Sequence, residues 1–339
     1  MSEKYWGTEN PKNQIWENIS LNLTKDNIKK NLGYEPNTAQ IDDLHYIYEQ
    51  SKEIYFSSLD LSLKVSPLNQ FYSFSLLAKL IILLNDRTKK IESLQQKHGL
   101  NIIINDRNNL DDIEISIPRN GTFFELYSIF DSNMIFDKIK LNDCFDYLLD
   151  TIEYNRNNKI AEISGYNIFD THKTEVGAEQ KDKTLNISIP SFYDRLDSII
   201  ATFPDIPFHL LKPKSYQTML DAEGNHYRYY FNNDEINPFN HEINIYSKHF
   251  LIADYKVNGN KQYLNQILLI YIITFACSNL VRYYPDFWNK YMQNEDISWL
   301  LKQLLVSFNR TYPNYILDFI TNQKNFFIYP GNLFFNYDN

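Results

Sequence analysis

Glycine is scarce in this chain, with 9 among 339 residues, and none falls in a GxGxxG pattern or in GxxxxGK followed by Ser or Thr. Loops that cradle phosphates need glycine so that backbone N–H groups can approach the ligand closely. A dinucleotide-binding fold and a P-loop NTPase are therefore excluded. GxSxG and HExxH are missing as well, which removes the usual anchors of α/β-hydrolases and zinc proteases. Only 2 cysteines occur, Cys144 and Cys277, far apart and without CxxC or Cys/His ligand spacing. Both lie in apolar helical patterns and read as small core residues of a reducing compartment. There is no excess of positive charge: a net charge of −9 argues against a protein that coats nucleic acid over its whole surface. The N-terminus carries no apolar h-region. The strongest apolar run, Ile267 to Cys277, is shorter than the roughly 20 residues that cross a bilayer. These features together predict a cytoplasmic protein without membrane contact.

What the chain does contain is a buriable core. Apolar content of 43% with 22% charged residues is that of an ordinary soluble protein, and the length allows two domains or one large domain with an insertion. Aromatics reach 16%, with 26 Tyr and 23 Phe, beside abundant Asn, Ile and Lys. AT-rich codon usage accounts for that bias more simply than an aromatic recognition surface does.

Helical signals dominate both ends. Thr24 is placed to cap a short helix that Gly33 stops, and a second helix runs from about Asn37 to Leu59. After a break at Leu61 to Val65, Ser66 and Pro67 open a third, Pro67 to Leu84, apolar nearly all round and so central. Lys79 is its single internal charge and must snorkel or find a partner. From Leu100 the period changes: Asn101 to Ile104 and Ile113 to Ile117 read as strands, Asn120-Gly121 as a hairpin-type turn. A helix returns near Asn142 with Phe145, Leu148, Leu149 and Ile152 on one face, and Asp170 to Lys183 reads as a loop. Strands are expected at Leu185 to Ile189, Tyr227 to Phe231 and Glu242 to Tyr246. The C-terminal helices are expected at Gln262 to Tyr283, Ile297 to Phe308 and Tyr315 to Ile320, punctuated by Pro285 and Pro313. The predicted class is α+β and predominantly α-helical. It divides into an N-terminal helical part (1–99), a mixed middle (100–260) and a C-terminal helical part (261–339) that shares a core with the first.

The best site candidate is the stretch Ser278 to Trp288, where the greasiest helix ends on Arg282, Tyr283, Tyr284, Pro285 and Trp288. It sets an obligate cation beside the edge of the core, which must be paired or capped. Arg282 has two readings: it satisfies terminal carbonyls and stacks on Trp288 or Tyr284, or it binds an anion at a cleft edge. His98 with Gly99 reads first as the last turn and C′ glycine of a helix, and second as an active-site or phosphate-binding histidine. Arg87, Lys89 and Lys90, reinforced by Lys97, form the only compact basic patch and the only local route to nucleic acid; the simpler reading is a solvated helix face. Asp112 and Glu114 read as a solvated strand face rather than a Mg²⁺ site, and His226, His241 and His249 match no metal template. Neither metal nor cofactor is expected.

Several short blocks resemble the YaaC-like proteins, a bacterial family without an established activity. Its pattern reads PLxxYYxxxNLxK, then HGL, then SxLxRYxPxxW. Here the blocks are Pro67-Leu68 with Phe71-Tyr72 and Leu77-Ala78-Lys79, then His98-Gly99-Leu100, then Ser278, Leu280, Arg282, Tyr283, Pro285 and Trp288. Gly121-Thr122-Phe123 matches an intervening GTF-like element, and Leu76 stands where the pattern has asparagine. The resemblance implies an α-rich fold and no catalytic mechanism.

The lack of a coherent set of acid, base, nucleophile or metal ligands points to a non-catalytic binding or scaffold protein of a bacterial cytoplasmic system, such as a subunit of an anti-phage defence or stress module. A protein partner would then meet the aromatic surface around Phe287 and Trp288 or the tip around Lys173. The alternative is an RNA- or nucleotide-processing enzyme, a degenerate relative of the HEPN ribonucleases, in which Arg282 holds a phosphate and His98 moves a proton. The HEPN signature places His four to six residues after Arg, and the interval from Arg87 to His98 is too long for it.

Overall fold

A computed structural model describes residues 2–105, 113–130, 137–146, 165–170, 182–188, 215–221, 224–232, 249–253, 256–257, 260–261 and 265–328. Two compact units result, one of Ile163–Tyr255 and one of Ser2–Glu162 with Lys256–Asn339. The second unit therefore takes in the first part of the mixed middle region as well as both helical ends.

In this larger unit a strand, β1 (Ser2–Gly7), precedes helices α1 (Pro11–Asn22), α2 (Lys25–Leu32) and α3 (Thr38–Ser58). Each helix is started by a polar side chain that accepts from the amide three residues on: Asn10 from Asn13, Thr24 from Asn27, Asn37 from Gln40. Gly33 closes α2 at φ 73, in the left-handed region. The next helix, α4 (Ser66–Asn85), begins with Ser66 as its first residue rather than its cap. Val65 holds the cap position without a side-chain bond, and Pro67 supplies the preset φ of the first turn. Two serines tie α3 to α4 reciprocally, Ser51 Oγ donating to Ser73 O and Ser73 Oγ to Ser51 O, both at 2.9 Å.

Strands β2 (Asn101–Ile104), β3 (Ile113–Ser116) and β4 (Lys138–Lys140) form an antiparallel sheet in that order. Asn120-Gly121 does not turn a hairpin. It leads into α5 (Thr122–Phe130), because Gly121 at φ 91 lies against Gly99 and the chain is committed to that contact. The helix near Asn142 is α6 (Leu141–Asp146); Leu148, Leu149 and Ile152 lie outside the described residues.

In the smaller unit, β5 (Gly165–Asp170), β6 (Asp182–Ser188), β7 (Ser215–Asp221), β8 (Gly224–Asn232) and β9 (His249–Ala253) make one antiparallel sheet in the order β7-β8-β6-β5-β9. Asp170 and Lys183 are strand residues rather than the ends of a loop. The strand expected at Glu242 to Tyr246 lies outside the described residues.

The larger unit resumes with the short pair β10 (Lys256–Val257) and β11 (Asn260–Lys261), then α7 (Gln266–Tyr283), α8 (Pro285–Gln293), α9 (Glu295–Thr321) and β12 (Gln323–Ile328). The shared core of N- and C-terminal helices is real: α4 packs on α3, α5, α7 and α9, and α1 packs on α9. By length and composition α4 and α7 are apolar enough to cross a membrane, and 72% and 78% of their apolar windows are buried inside the fold. β12 runs parallel to β1, with Tyr5 stacked on Phe326 at 5.1 Å.

Pro313 does not divide two helices; it lies inside α9. Proline removes the N–H that would bond the carbonyl four residues earlier, that of Asn309. The Tyr55 hydroxyl, reaching from α3, donates to that carbonyl instead, and the Gln70 amide donates to Asn309 Oδ1 at 2.8 Å. Tertiary contacts satisfy the carbonyl that the proline strips, so the helix runs through.

Candidate functional site

Since α4 is buried almost all round, its partly exposed side chains mark where the core opens. Leu68, Asn69, Tyr72, Leu76 and Lys79 are half-buried and recur at helical spacing on one stripe, and every one of them lines one of two adjoining clefts. The first cleft, of about 450 Å³, has Asn69, Tyr72, Leu76 and Lys79 on one wall, Gln50 and Ile54 of α3 on another, and Gln96 and His98. The second, of about 320 Å³, is bounded by Leu68, Phe71 and Tyr72 of α4, by His98 to Ile102, and by Phe275, Asn279, Arg282 and Tyr283 of α7. Tyr72 and His98 border both.

The backbone of His98 is held by a clasp, not by a helix end. Helix α4 ends at Asn85, and the chain then turns through a single 3-10 turn, Ile91–Ser93. The amides of Thr122 and Phe123, free at the N-terminus of α5, donate at 2.9 Å to the carbonyls of Lys97 and His98. Both glycines are required by this approach. A Cβ on Gly121 would lie 2.6 Å from Gly99 Cα, and one on Gly99 would lie 2.8 Å from Asn120 O, with Gly99 at φ 79. The expected C-terminal helix position for His98-Gly99 is thus replaced by a close crossing of two backbones.

The imidazole of His98 packs edge-on to Phe71 at 4.8 Å and beside Tyr72 and Phe275 at 6.1 and 6.3 Å. Its Nδ1 is buried and has no hydrogen-bond partner among the described residues. Burial, followed by the charges of Lys79 and Arg282, holds His98 below the ordinary 6.5. Burial likewise holds the Lys79 ammonium below its usual range. Neither cleft is lined by an aspartate or glutamate among the described residues.

Arg282 stands in the last turn of α7 and is solvent-exposed, so it carries no obligation to be paired. Its Nη1 donates to the Tyr72 hydroxyl at 2.8 Å and its guanidinium lies 4.9 Å over the Tyr283 ring. It neither caps a terminal carbonyl nor stacks on Trp288. Tyr283 is 59% exposed at the rim of the second cleft, whereas Tyr284 lines neither cleft and sits in the joint between α7 and α8. Trp288 is a core residue, 3% exposed, with Nε1 donating to Leu63 O at 3.1 Å; Phe287 is 2% exposed. The aromatic pair expected to present a partner surface is instead buried, because α8 turns its apolar side into the helical core. Lys173 lies outside the described residues.

The basic patch is not on a helix either. Lys89 pairs with Glu125 of α5 at 3.0 Å and Arg87 lies 4.8 Å from the Tyr34 ring centroid, leaving Lys90 and Lys97 as its exposed lysines. Glu114 pairs with Lys138 at 3.7 Å on the neighbouring strand, and Asp112 lies outside the described residues. His226 is on β8 and His249 on β9, strands separated by two others in the sheet; His241 lies outside the described residues. No group of metal-ligating side chains occurs among the described residues.

Sequence reasoning singled out Arg282, Tyr283, Lys79 and His98, with Asn279 inside the stretch Ser278 to Trp288, but gave no site role to Tyr72, Gln50, Gln96 and Asn101, which complete the walls. For Tyr72 a signal existed. Tyr72 and Lys79 share a face two turns apart, as do Phe275, Asn279 and Arg282, on helices otherwise apolar all round.

The result is a mostly helical protein with two adjoining clefts along α4, free of carboxylates among the described residues, with Lys79 lining the first and Arg282 the second. The YaaC-like protein family matches residues 13–320, and the chain belongs to that family. No curated protein and no solved structure matches it. The proline-led helix, the HGL block and the C-terminal arginine block all contribute residues to these clefts, and the GTF-like element clasps the HGL backbone without lining either; Leu76 presents an alkyl group where the pattern has an amide.

Proposed function

We propose that this chain is a binding protein whose cleft takes a phosphate-bearing ligand, without itself transforming it. The observation that carries the reading is that Lys79 and Arg282 line two adjoining clefts, which share Tyr72 and His98, with no lining carboxylate among the described residues to neutralise them. In a chain of net charge −9 these cations are a local exception, and an exposed arginine that commits one nitrogen to Tyr72 keeps N–H donors suited to phosphate oxygens. Titration calorimetry with inorganic phosphate tests it. Arg282→Ala, at an exposed position that leaves the core intact, should weaken binding by about 10- to 100-fold, the equivalent of one charge-assisted contact. No heat of binding in the parent protein, or equal affinity in the variant, refutes the reading.

One observation favours a second reading, an enzyme acting on RNA or nucleotides. His98 and Arg282 border the same cleft, and a histidine held below 6.5 is neutral at pH 7 and able to accept a proton. Against it, among the described residues no carboxylate or carbonyl bonds Nδ1 to orient the ring. RNA integrity assayed with His98→Gln and Arg282→Ala, each checked for folding, separates the two. Cleavage lost in both variants favours the enzyme; cleavage unchanged in both removes it.

A further inference from the structure

We infer that the ligand carries two phosphate groups held apart by an uncharged middle, as in a nucleoside bisphosphate, with one group at Arg282 and the other at Lys79. This rests on the phosphate-binding reading above and adds to it the number and spacing of the charges.

The two permanent cations do not share a cleft. Lys79 lines the 450 Å³ cleft and not its neighbour, while Arg282 lines the 320 Å³ cleft and not the other. Lys79 follows Tyr72 by two turns of α4, about 10 Å along the axis, whereas Arg282 is tied to the Tyr72 hydroxyl itself. A single phosphate in either cleft therefore meets one of the two cations and leaves the other without a counter-charge.

The wall between them is uncharged or nearly so. Tyr72 and His98 border both clefts, and His98 feels the charge of Lys79 from one side and of Arg282 from the other. Neutral amides line the remainder, Asn69 and Gln96 in the first cleft, Asn101 and Asn279 in the second. They offer hydrogen bonds to hydroxyls and ring nitrogens without adding charge. Each cleft is also far roomier than one phosphate requires, at the scale that holds part of a nucleoside.

The test compares inorganic phosphate, adenosine 5′-monophosphate and adenosine 3′,5′-bisphosphate by calorimetry on the full chain, Lys79→Met and Arg282→Ala. The bisphosphate should bind the parent about tenfold or more tighter than the monophosphate. Lys79→Met, which keeps the alkyl stem, should lower bisphosphate affinity about tenfold or more and monophosphate affinity by clearly less; Arg282→Ala should weaken both. Equal affinity for mono- and bisphosphate in the parent overturns the two-charge inference and leaves the phosphate-binding reading standing, as does an equal loss for both in Lys79→Met. Should the methionine variant not fold, the parent comparison alone decides. Absence of binding by all three probes overturns both.

Discussion

Tyr55 and Pro313 form a compensated pair, and separating them tests why α9 runs through its proline. The Asn309 carbonyl loses its helical donor at Pro313 and receives the Tyr55 hydroxyl instead. Tyr55 is 0% exposed and Asn309 is half-buried, so the hydroxyl is the donor the fold supplies to that carbonyl. Tyr55→Phe removes it, at about 1–3 kcal/mol. In a Pro313→Ala background the restored amide donates to Asn309, and the same change should cost less by about 1 kcal/mol or more, which is the coupling between the two positions. Urea denaturation followed by tryptophan fluorescence reads this out cleanly. All 4 tryptophans, at positions 6, 16, 288 and 299, belong to the helical unit. With a urea slope of about 2 kcal/mol/M, a 2 kcal/mol loss lowers the midpoint by about 1 M. Equal midpoint shifts in the two backgrounds would falsify the compensation.

Burial lifts Asp318 from the ordinary 3.8 to about 6; between those values the folded chain holds a proton that the unfolded chain has released, so stability should fall by up to about 3 kcal/mol as pH rises through the window. Asp318→Asn should flatten that slope in denaturation curves taken at about pH 4 and pH 7, and a slope identical to the parent's removes the assignment. Gly99→Ala places a Cβ 2.8 Å from Asn120 O at φ 79, and should cost about 1–3 kcal/mol and lower phosphate affinity together; stability lost with affinity intact would show that the clasp does not position His98. Sulfate keeps its charge across the range, so its affinity should rise as pH drops through the lowered value of His98, below the ordinary 6.5, and the imidazole protonates between Lys79 and Arg282. A rise that persists in His98→Gln assigns the effect elsewhere.

Much of the helical plan was legible because periodicity and capping are local. Thr24, Gly33, Asn37 and Pro67 mark real helix boundaries, and the all-round apolarity of α4 and α7 forecasts their central place. What escaped depends on contacts between distant segments. Nothing near Pro313 announces that Tyr55 will satisfy Asn309, nothing in Asn120-Gly121 tells a hairpin from a crossing against Gly99, and the parallel pairing of β1 with β12 joins the two ends of the described chain. The site divides in the same way. Arg282, Lys79 and His98 stand out as charges or titratable groups set against apolar sequence, but Trp288 misleads, since an aromatic beside a site and an aromatic in the core look alike until the direction of α8 is known.

The cleft and the core are therefore two consequences of one pattern. A helix buried nearly all round accepts polar side chains where a neighbouring helix bonds them, as with Gln70 and Ser73, or along a line that no neighbour covers, which in α4 carries Asn69, Tyr72 and Lys79. Holding Lys79 there has a cost, since burial disfavours its charged form in the folded chain and no carboxylate pairs with it among the described residues. That cost is fully present below the lowered folded value, where lysine is charged in both states, and fades as pH rises through that value toward 10.5. A phosphate bound beside it supplies the missing counter-charge and relieves the penalty. Stability and ligand occupancy would then be linked through one ammonium group, so an apolar residue at position 79 should make the empty protein more stable while removing one of the two charges proposed to hold the ligand.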